Sequence, residues 1–179
     1  MATAAAAGWL PSPPMNAAGD PEPGGATTGP ESGLVDSFPD APEYGRSLPT
    51  FCANLLVRDP RMSADFYRVV LGAVVRYADP DFAAIEVSGI PIMLHADTSY
   101  GEHPWFPELR DGIRRGLGAE LRLFGLDPDP VAVAAAAHGG SVLQPAQDKP
   151  HGWRETIIAD PDGYTWAVGT ALPDGEEPG

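Results

Sequence analysis

Cysteine is nearly missing from this chain: Cys52 stands alone among 179 residues. A single thiol excludes an intramolecular disulfide and any zinc site built from a cysteine cluster. Cations are few as well, 11 Lys and Arg against 25 Asp and Glu, for a net charge of −14. Proteins that bind nucleic acid need a basic footprint for the phosphates, so that class of partner is excluded. No apolar run reaches membrane-spanning length, which removes the membrane as a partner. The N-terminus has neither the basic start nor the continuous apolar stretch of a secretion signal, so a cytoplasmic location is expected. There is no Ser-His-Asp elbow and no phosphate-binding glycine loop, since Gly139-Gly140 stops a helix instead of opening one.

The acidity is concentrated at the ends. Residues 1–45 carry no Lys or Arg and six acids, and the last seven residues add Asp174, Glu176 and Glu177. Removing those nine from the net −14 leaves −5 for residues 46–172, ordinary for a soluble domain. Ala, Gly and Pro make up 24 of the first 45 residues, with Trp9, Leu10, Leu34, Val35 and Phe38 scattered among them. Such a segment buries too little apolar surface to offset its ordering entropy. A disordered extension over 1–45 is expected, one domain over 46–172, and a disordered acidic tail over 173–179. The alternative for the extension is that Trp9-Leu10 or Leu34-Val35 docks on the domain or on a partner.

Within the domain, Asp160-Pro161-Asp162-Gly163 is a turn with a mechanism: Pro161 presets φ, the aspartates bond nearby amides, and Gly163 accepts φ > 0. Strand-forming runs flank it, at Trp153–Ala159 and Tyr164–Thr170. Upstream, a strand over Phe51–Val57 leads to Asp59-Pro60, a helix start, and Met62, Phe66, Val69 and Val70 recur at helical spacing until Gly72. Strands follow at Ala73–Tyr77, Phe82–Val87 and Ile90–Ala96. The long connection Asp97–Gly118 holds His103, Trp105 and Phe106, an apolar cluster suited to a lid or a subunit interface, with helical turns over Pro107–Arg115.

The pattern then repeats: strand Ala119–Leu126, Asp127-Pro128, helix Val131–Ala137, Gly139-Gly140, strand Ser141–Gln144 and the hairpin. The Asp-Pro pair and the helix-stopping Gly both recur at an offset of 68. The chain therefore duplicates a strand–helix–three-strand unit, with modules 50–97 and 118–172. The expected class is α+β, two βαβββ modules in one domain forming an open, curved mixed sheet around a cavity.

The run NLLVRDPRMSADFYRVVLGA at Asn54–Ala73, together with DPDGYTWAVG at Asp160–Gly169, resembles the vicinal oxygen chelate superfamily of glyoxalases, bleomycin-resistance proteins, fosfomycin-resistance enzymes and extradiol dioxygenases. The resemblance covers about residues 50–172 and implies paired βαβββ modules and a homodimer. Its metal-using members place ligands on four strands, at positions that here fall on Cys52, near Met93, on Glu120 and on Ala167. Only Glu120 is an ordinary ligand for a hard metal, so no metal and no other cofactor is expected. The resemblance is closest to the metal-free bleomycin-resistance branch. A displaced site using Cys52, His95 and Glu120 is the alternative, because strand alternation puts His95 on the face of Met93 and Asn54 on that of Cys52.

The expected function is binding and sequestration of a small molecule, an antibiotic or metabolite, in a cavity lined by Cys52, Asn54, Met93, His95, Glu120, Arg122, Trp105, Trp153 and Trp166. Of Trp153 and Trp166, one belongs to the core and the other can stack on a planar ligand. Glu120 reads either as a buried base or acceptor, or as the partner of Arg122, Arg154 or another cation. Alternation sends Arg154 and Glu155 to opposite faces, one of them inward. The alternative function is a lyase, isomerase or oxygenase on this scaffold, with a displaced metal or with Glu120 or His95 as general base.

Overall fold

Two Asp-Pro pairs open the two long helices in the same way. The Asp59 carboxylate accepts from the amides of Arg61 (2.9 Å) and Met62 (3.1 Å), and that of Asp127 from Asp129 (3.1 Å), while Pro60 and Pro128 take the first helical turn, where an amide would be unpaired. The fold is a computed structural model in which residues 38–110, 113 and 115–173 are described. Its elements in chain order are α1 (Ala41–Ser47), β1 (Ala53–Val57), α2 (Pro60–Leu71), β2 (Val74–Ala78), β3 (Phe82–Val87), β4 (Ile90–Ala96), a 3₁₀ turn (Asp97–Tyr100), α3 (Phe106–Arg110), β5 (Glu120–Phe124), α4 (Pro128–Ala137), β6 (Ser141–Lys149), β7 (Trp153–Ala159) and β8 (Thr165–Ala171).

The duplication is visible in the topology. One four-stranded sheet runs β1-β4-β3-β2 and the other β5-β8-β7-β6, each with one parallel pair and two antiparallel ones. These are the two open mixed sheets expected of paired βαβββ modules. Alternation gives each sheet a helix-facing and an open side. Leu55, Val57, Ile85 and Leu94 from the first sheet and Leu123, Ile158, Trp166 and Val168 from the second are buried in one core with Phe66, Tyr67 and Val70 of α2 and Val131 and Ala135 of α4. Each such large side chain contributes on the order of 1.5–3 kcal/mol by leaving water. Gly140 lets the modules close: a Cβ there would lie 2.7 Å from the Ala159 carbonyl and 2.8 Å from the Phe66 ring.

The Asp160–Gly163 turn ties the modules together. Asp160 Oδ1 accepts from the amides of Asp162 (3.0 Å), Gly163 (2.8 Å) and Tyr164 (2.8 Å), as an aspartate in a tight turn can. Its Oδ2 accepts from the buried Tyr67 hydroxyl of α2. Asp162 accepts from the Arg58 amide and guanidinium, both at 3.0 Å, and from Ser63 Oγ at 3.1 Å. The Tyr164 hydroxyl donates to the Leu56 carbonyl (2.9 Å) and accepts from its amide (3.2 Å). Arg115, 5 % exposed, donates to the same carbonyl at 2.6 Å and to both oxygens of Asp97.

Several expected boundaries move. β1 begins at Ala53, leaving Phe51 81 % exposed, and α4 begins at Pro128, three residues before Val131. β6 continues past Gln144 to Lys149, because register shifts on both sides of Gln144 let the strand carry Pro145. The helix in the long connection is Phe106–Arg110, shorter than the run to Arg115, whose side chain is instead drawn into the core. Residues 38–45, assigned to the extension, are partly ordered: Asp40 caps α1, accepting from the Glu43 amide at 2.8 Å, and Phe38 stacks on Tyr77. The sites at Trp9-Leu10 and Leu34-Val35 and the acidic end after 173 lie outside the described residues. Among those described, no helix is long and apolar enough to cross a membrane.

Candidate functional site

β5 presents Glu120, Arg122 and Phe124 to the open side of the second sheet and turns Leu121 and Leu123 toward α4. Arg122 donates to Glu120 Oε1 at 2.9 Å and to Glu155 Oε1 of β7. His151 Nε2 lies 3.4 Å from that same oxygen. The Arg122 guanidinium sits 5.3 Å from the Phe124 ring centroid, and Phe124 packs on Trp153 with centroids 4.6 Å apart. The outcome is a guanidinium held between two carboxylates and backed by the Phe124 ring, which in turn packs on Trp153. Glu120 is an exposed partner of Arg122, with 39 % of its side chain in solvent, so the buried carboxylate of this face is Glu155, at 6 %. Arg154 points the other way, toward Asp129 (2.7 Å) of α4 and Asp148 (2.8 Å).

The open side of the first sheet carries a polar relay among rings. Asn54 Nδ2 donates to the Tyr100 hydroxyl at 2.6 Å, and Asn54 Oδ1 faces His95 Nδ1 at 2.7 Å. With its amide nitrogen committed to Tyr100, Asn54 offers His95 an acceptor, so Nδ1 carries the proton and Nε2 the lone pair. Burial lowers the His95 pKa, which keeps the ring neutral at pH 7. Phe82 lies 4.8 Å from His95 and Tyr100 5.2 Å, and rings continue through His103 to Trp105, which is 59 % exposed. Met93 pairs with Asn54 across β1 and β4, and Cys52, half-buried, precedes β1.

Comparison with known proteins places this geometry. A family model described as the Glyoxalase/Bleomycin resistance protein/Dioxygenase superfamily matches residues 51–168. The chain belongs to that superfamily. Among curated sequences it is 27 % identical over 133 residues to an uncharacterized protein of Mycobacterium bovis, covering 68 % of this chain and 82 % of the relative. The solved structure of a superfamily enzyme from Burkholderia phytofirmans superposes with a TM-score of 0.55 at 18 % identity, over 67 % of this chain and 96 % of the other. A glyoxalase-related enzyme from Fulvimarina pelagi gives 0.55 at 22 %, over 73 % and 96 %. At such identities the structures show a shared glyoxalase-type fold.

The residues at the superfamily's metal positions do not fit a hard divalent ion. Glu120 is drawn to Arg122, and Ala167, opposite Arg122 in register, has no donor. Cys52 is a possible zinc ligand, but the Met93 thioether is a poor one for zinc, iron(II) or manganese, so the set falls short of the about three protein ligands such an ion needs. The displaced alternative is not assembled: among the described residues no three His, Cys, Asp or Glu side chains, Cys52, His95 and Glu120 included, converge on a point that could hold an ion. Trp166 also leaves the ligand-contact set. It is 3 % exposed and packs on Tyr67 at 5.5 Å, because its register opposite Leu121 and Ile158 turns it to the helix side. Trp153 is the tryptophan that reaches the open face.

Sequence reasoning missed Tyr100 and Phe82 as partners of His95, and Glu155 as the centre of the second cluster. Tyr100 carried no signal, lying in a connection without periodicity. Glu155 had one, since alternation required either it or Arg154 to face inward. A shallow groove of about 280 Å³, lined by Arg61, Met62, Asp65, Phe66 and His138, lies on the helical side, away from both open faces.

Proposed function

We propose that this protein binds and sequesters a small molecule with a planar part, without using a metal. The observation that carries the reading is the donor set at the superfamily's metal positions: sulfur, sulfur, a carboxylate committed to Arg122, and a methyl group. In place of an ion, the open faces carry stacking rings and a few directional polar groups, the composition of a ligand site. On the first module these are the neutral His95, with Nε2 free to accept, and Phe82. On the second they are Arg122 and Trp153. A homodimer and a cytoplasmic location belong to the same proposal.

Elemental analysis of protein purified without chelator tests it, paired with tryptophan-fluorescence titrations against planar drugs and metabolites. Saturable quenching and sub-stoichiometric metal are expected. A stoichiometric divalent ion that disappears in Glu120→Ala would overturn the proposal.

A second reading has its own support. Tyr100, Asn54 and His95 form an orienter–base chain, with His95 neutral and its Nε2 able to take a proton from a carbon next to a carbonyl. Exchange of such a proton with deuterated solvent, lost in His95→Ala and reduced in Asn54→Ala, separates this enzyme from a binder.

A further inference from the structure

Phe38 and α1 lie on the open side of the first sheet. Phe38 stacks on Tyr77 with centroids 4.7 Å apart and planes 21° apart, and lies 6.4 Å from Phe82. Tyr44 meets Phe82 edge-on at 5.7 Å and Phe38 at 5.0 Å. Burial raises the pKa of the Tyr44 hydroxyl, whose ring packs on Phe82 of β3. Phe82 is also the ring that touches His95 at 4.8 Å. The segment therefore lies over the side that carries Asn54, Met93 and His95.

The attachment is slight. None of the α1 residues is buried, and the helix is capped by its own Asp40 rather than by the domain. Holding the segment down falls largely to two rings. An aromatic pair adds roughly 0.5–1.5 kcal/mol beyond its buried area, a contact that a competing ring of the same kind can replace.

The geometry points to residues 38–47 acting as a built-in competitor: Phe38 occupies an aryl-stacking place on Tyr77 and Phe82 that a planar ligand takes when the segment lifts away. The inference rests on the small-molecule reading and adds to it the ligand class and its control. Because Phe38 is tethered, its effective concentration at Tyr77 is of the order of millimolar, and a free ligand must exceed that or stack better. The apparent affinity falls in proportion to the fraction of molecules with the segment lifted, so a tenfold preference for the closed state weakens binding about tenfold. The occupied state also keeps the Tyr77–Phe82 surface covered when no ligand is present.

The test uses the full chain and two readouts. Trypsin cleavage after Arg46, in the last turn of α1, reports lifting without any ligand. Fluorescence titration with proflavine (planar, cationic) and 9-anthracenecarboxylate (planar, anionic) reports the site. Phe38→Ala is expected to speed cleavage after Arg46 at least fivefold and to tighten binding of at least one dye about tenfold, while Phe38→Tyr, which keeps the ring, matches the parent in both. Unchanged cleavage in Phe38→Ala overturns the inference, because the ring then does not hold the segment. Faster cleavage with unchanged or weaker dye binding overturns it too, by making the segment a wall of the site. If neither dye binds parent or variant although cleavage accelerates, the small-molecule reading fails along with the competition, a pattern distinct from the other two.

Discussion

Replacing Asp160 by alanine should remove more stability than a turn residue ordinarily carries. The carboxylate is 4 % exposed and accepts four hydrogen bonds, three from the turn amides at 2.8–3.0 Å and one from the Tyr67 hydroxyl. Truncation leaves the Asp162 and Tyr164 amides and the Tyr67 hydroxyl without that acceptor, while the Gly163 amide keeps the Asp160 carbonyl at 3.0 Å, and each orphan that stays buried costs about 1–3 kcal/mol. Tyr67 is fully enclosed, whereas the Tyr164 amide is only part-buried and regains some water. A net loss of about 3–4 kcal/mol follows, a large share of the roughly 5–15 kcal/mol that holds a domain together. In a chain of this size the melting temperature should drop by roughly 10 °C.

Asp160→Asn keeps the oxygen that serves the turn, and the Tyr67 hydroxyl can rotate to meet the new amide, so its cost should be about 1 kcal/mol or less. The pH dependence separates the two. Burial raises the Asp160 pKa above its ordinary value, outweighing its hydrogen bonds, so folding favours the protonated form. That contribution is complete below the unfolded value of about 3.9 and is lost as pH rises through the raised folded value. Wild type should therefore gain on Asp160→Asn as the solution is acidified through that window. Urea denaturation followed by circular dichroism, across pH 4–8, measures both effects. A loss under 1 kcal/mol in Asp160→Ala, or a flat difference between wild type and Asp160→Asn, would refute the cross-tie argument.

Gly140→Ala should destabilise by about 1–3 kcal/mol, since the added methyl would meet the Ala159 carbonyl as well as the Phe66 ring, and backbone cannot step aside as a side chain can; thermal denaturation reads it. The His95 ring should titrate by NMR with a midpoint below about 6.5, as burial dictates. Its folded pKa being lowered, the stability it contributes is present above the unfolded value and is lost as pH falls through the folded one; a midpoint above 6.5 would contradict the neutral relay.

Much of the local structure was readable in the residues. Asp59-Pro60, Asp127-Pro128 and Gly163 act through backbone preferences and hydrogen bonds spanning two or three positions, so their effect is set by near neighbours. The repeat at an offset of 68 made the duplicated topology legible, and the two motifs made the superfamily legible. The site was legible only in outline. Asn54, Met93 and His95 fall on one face because alternation has a period of two, but nothing in the chain indicated that Tyr100 would return to Asn54 across 46 residues.

The sequence by itself determined most strands and helices of the domain and that they come as two equivalent modules, while α1 and the ends of β1, α3, α4 and β6 departed from it. Only the tertiary structure decided what the side chains of those elements touch. Asp160 and Asp162 read as turn-formers and prove to be ties to Tyr67 and Ser63, 93 and 99 positions away. Glu120 reads as an inward carboxylate, yet Arg122 holds it in solvent while Glu155 takes the interior. Phe38 reads as part of an unpaired extension and lands on Tyr77. Capping and φ preferences decay within a turn of chain, whereas burial and pairing depend on which surfaces meet when two sheets and two helices close on a common core.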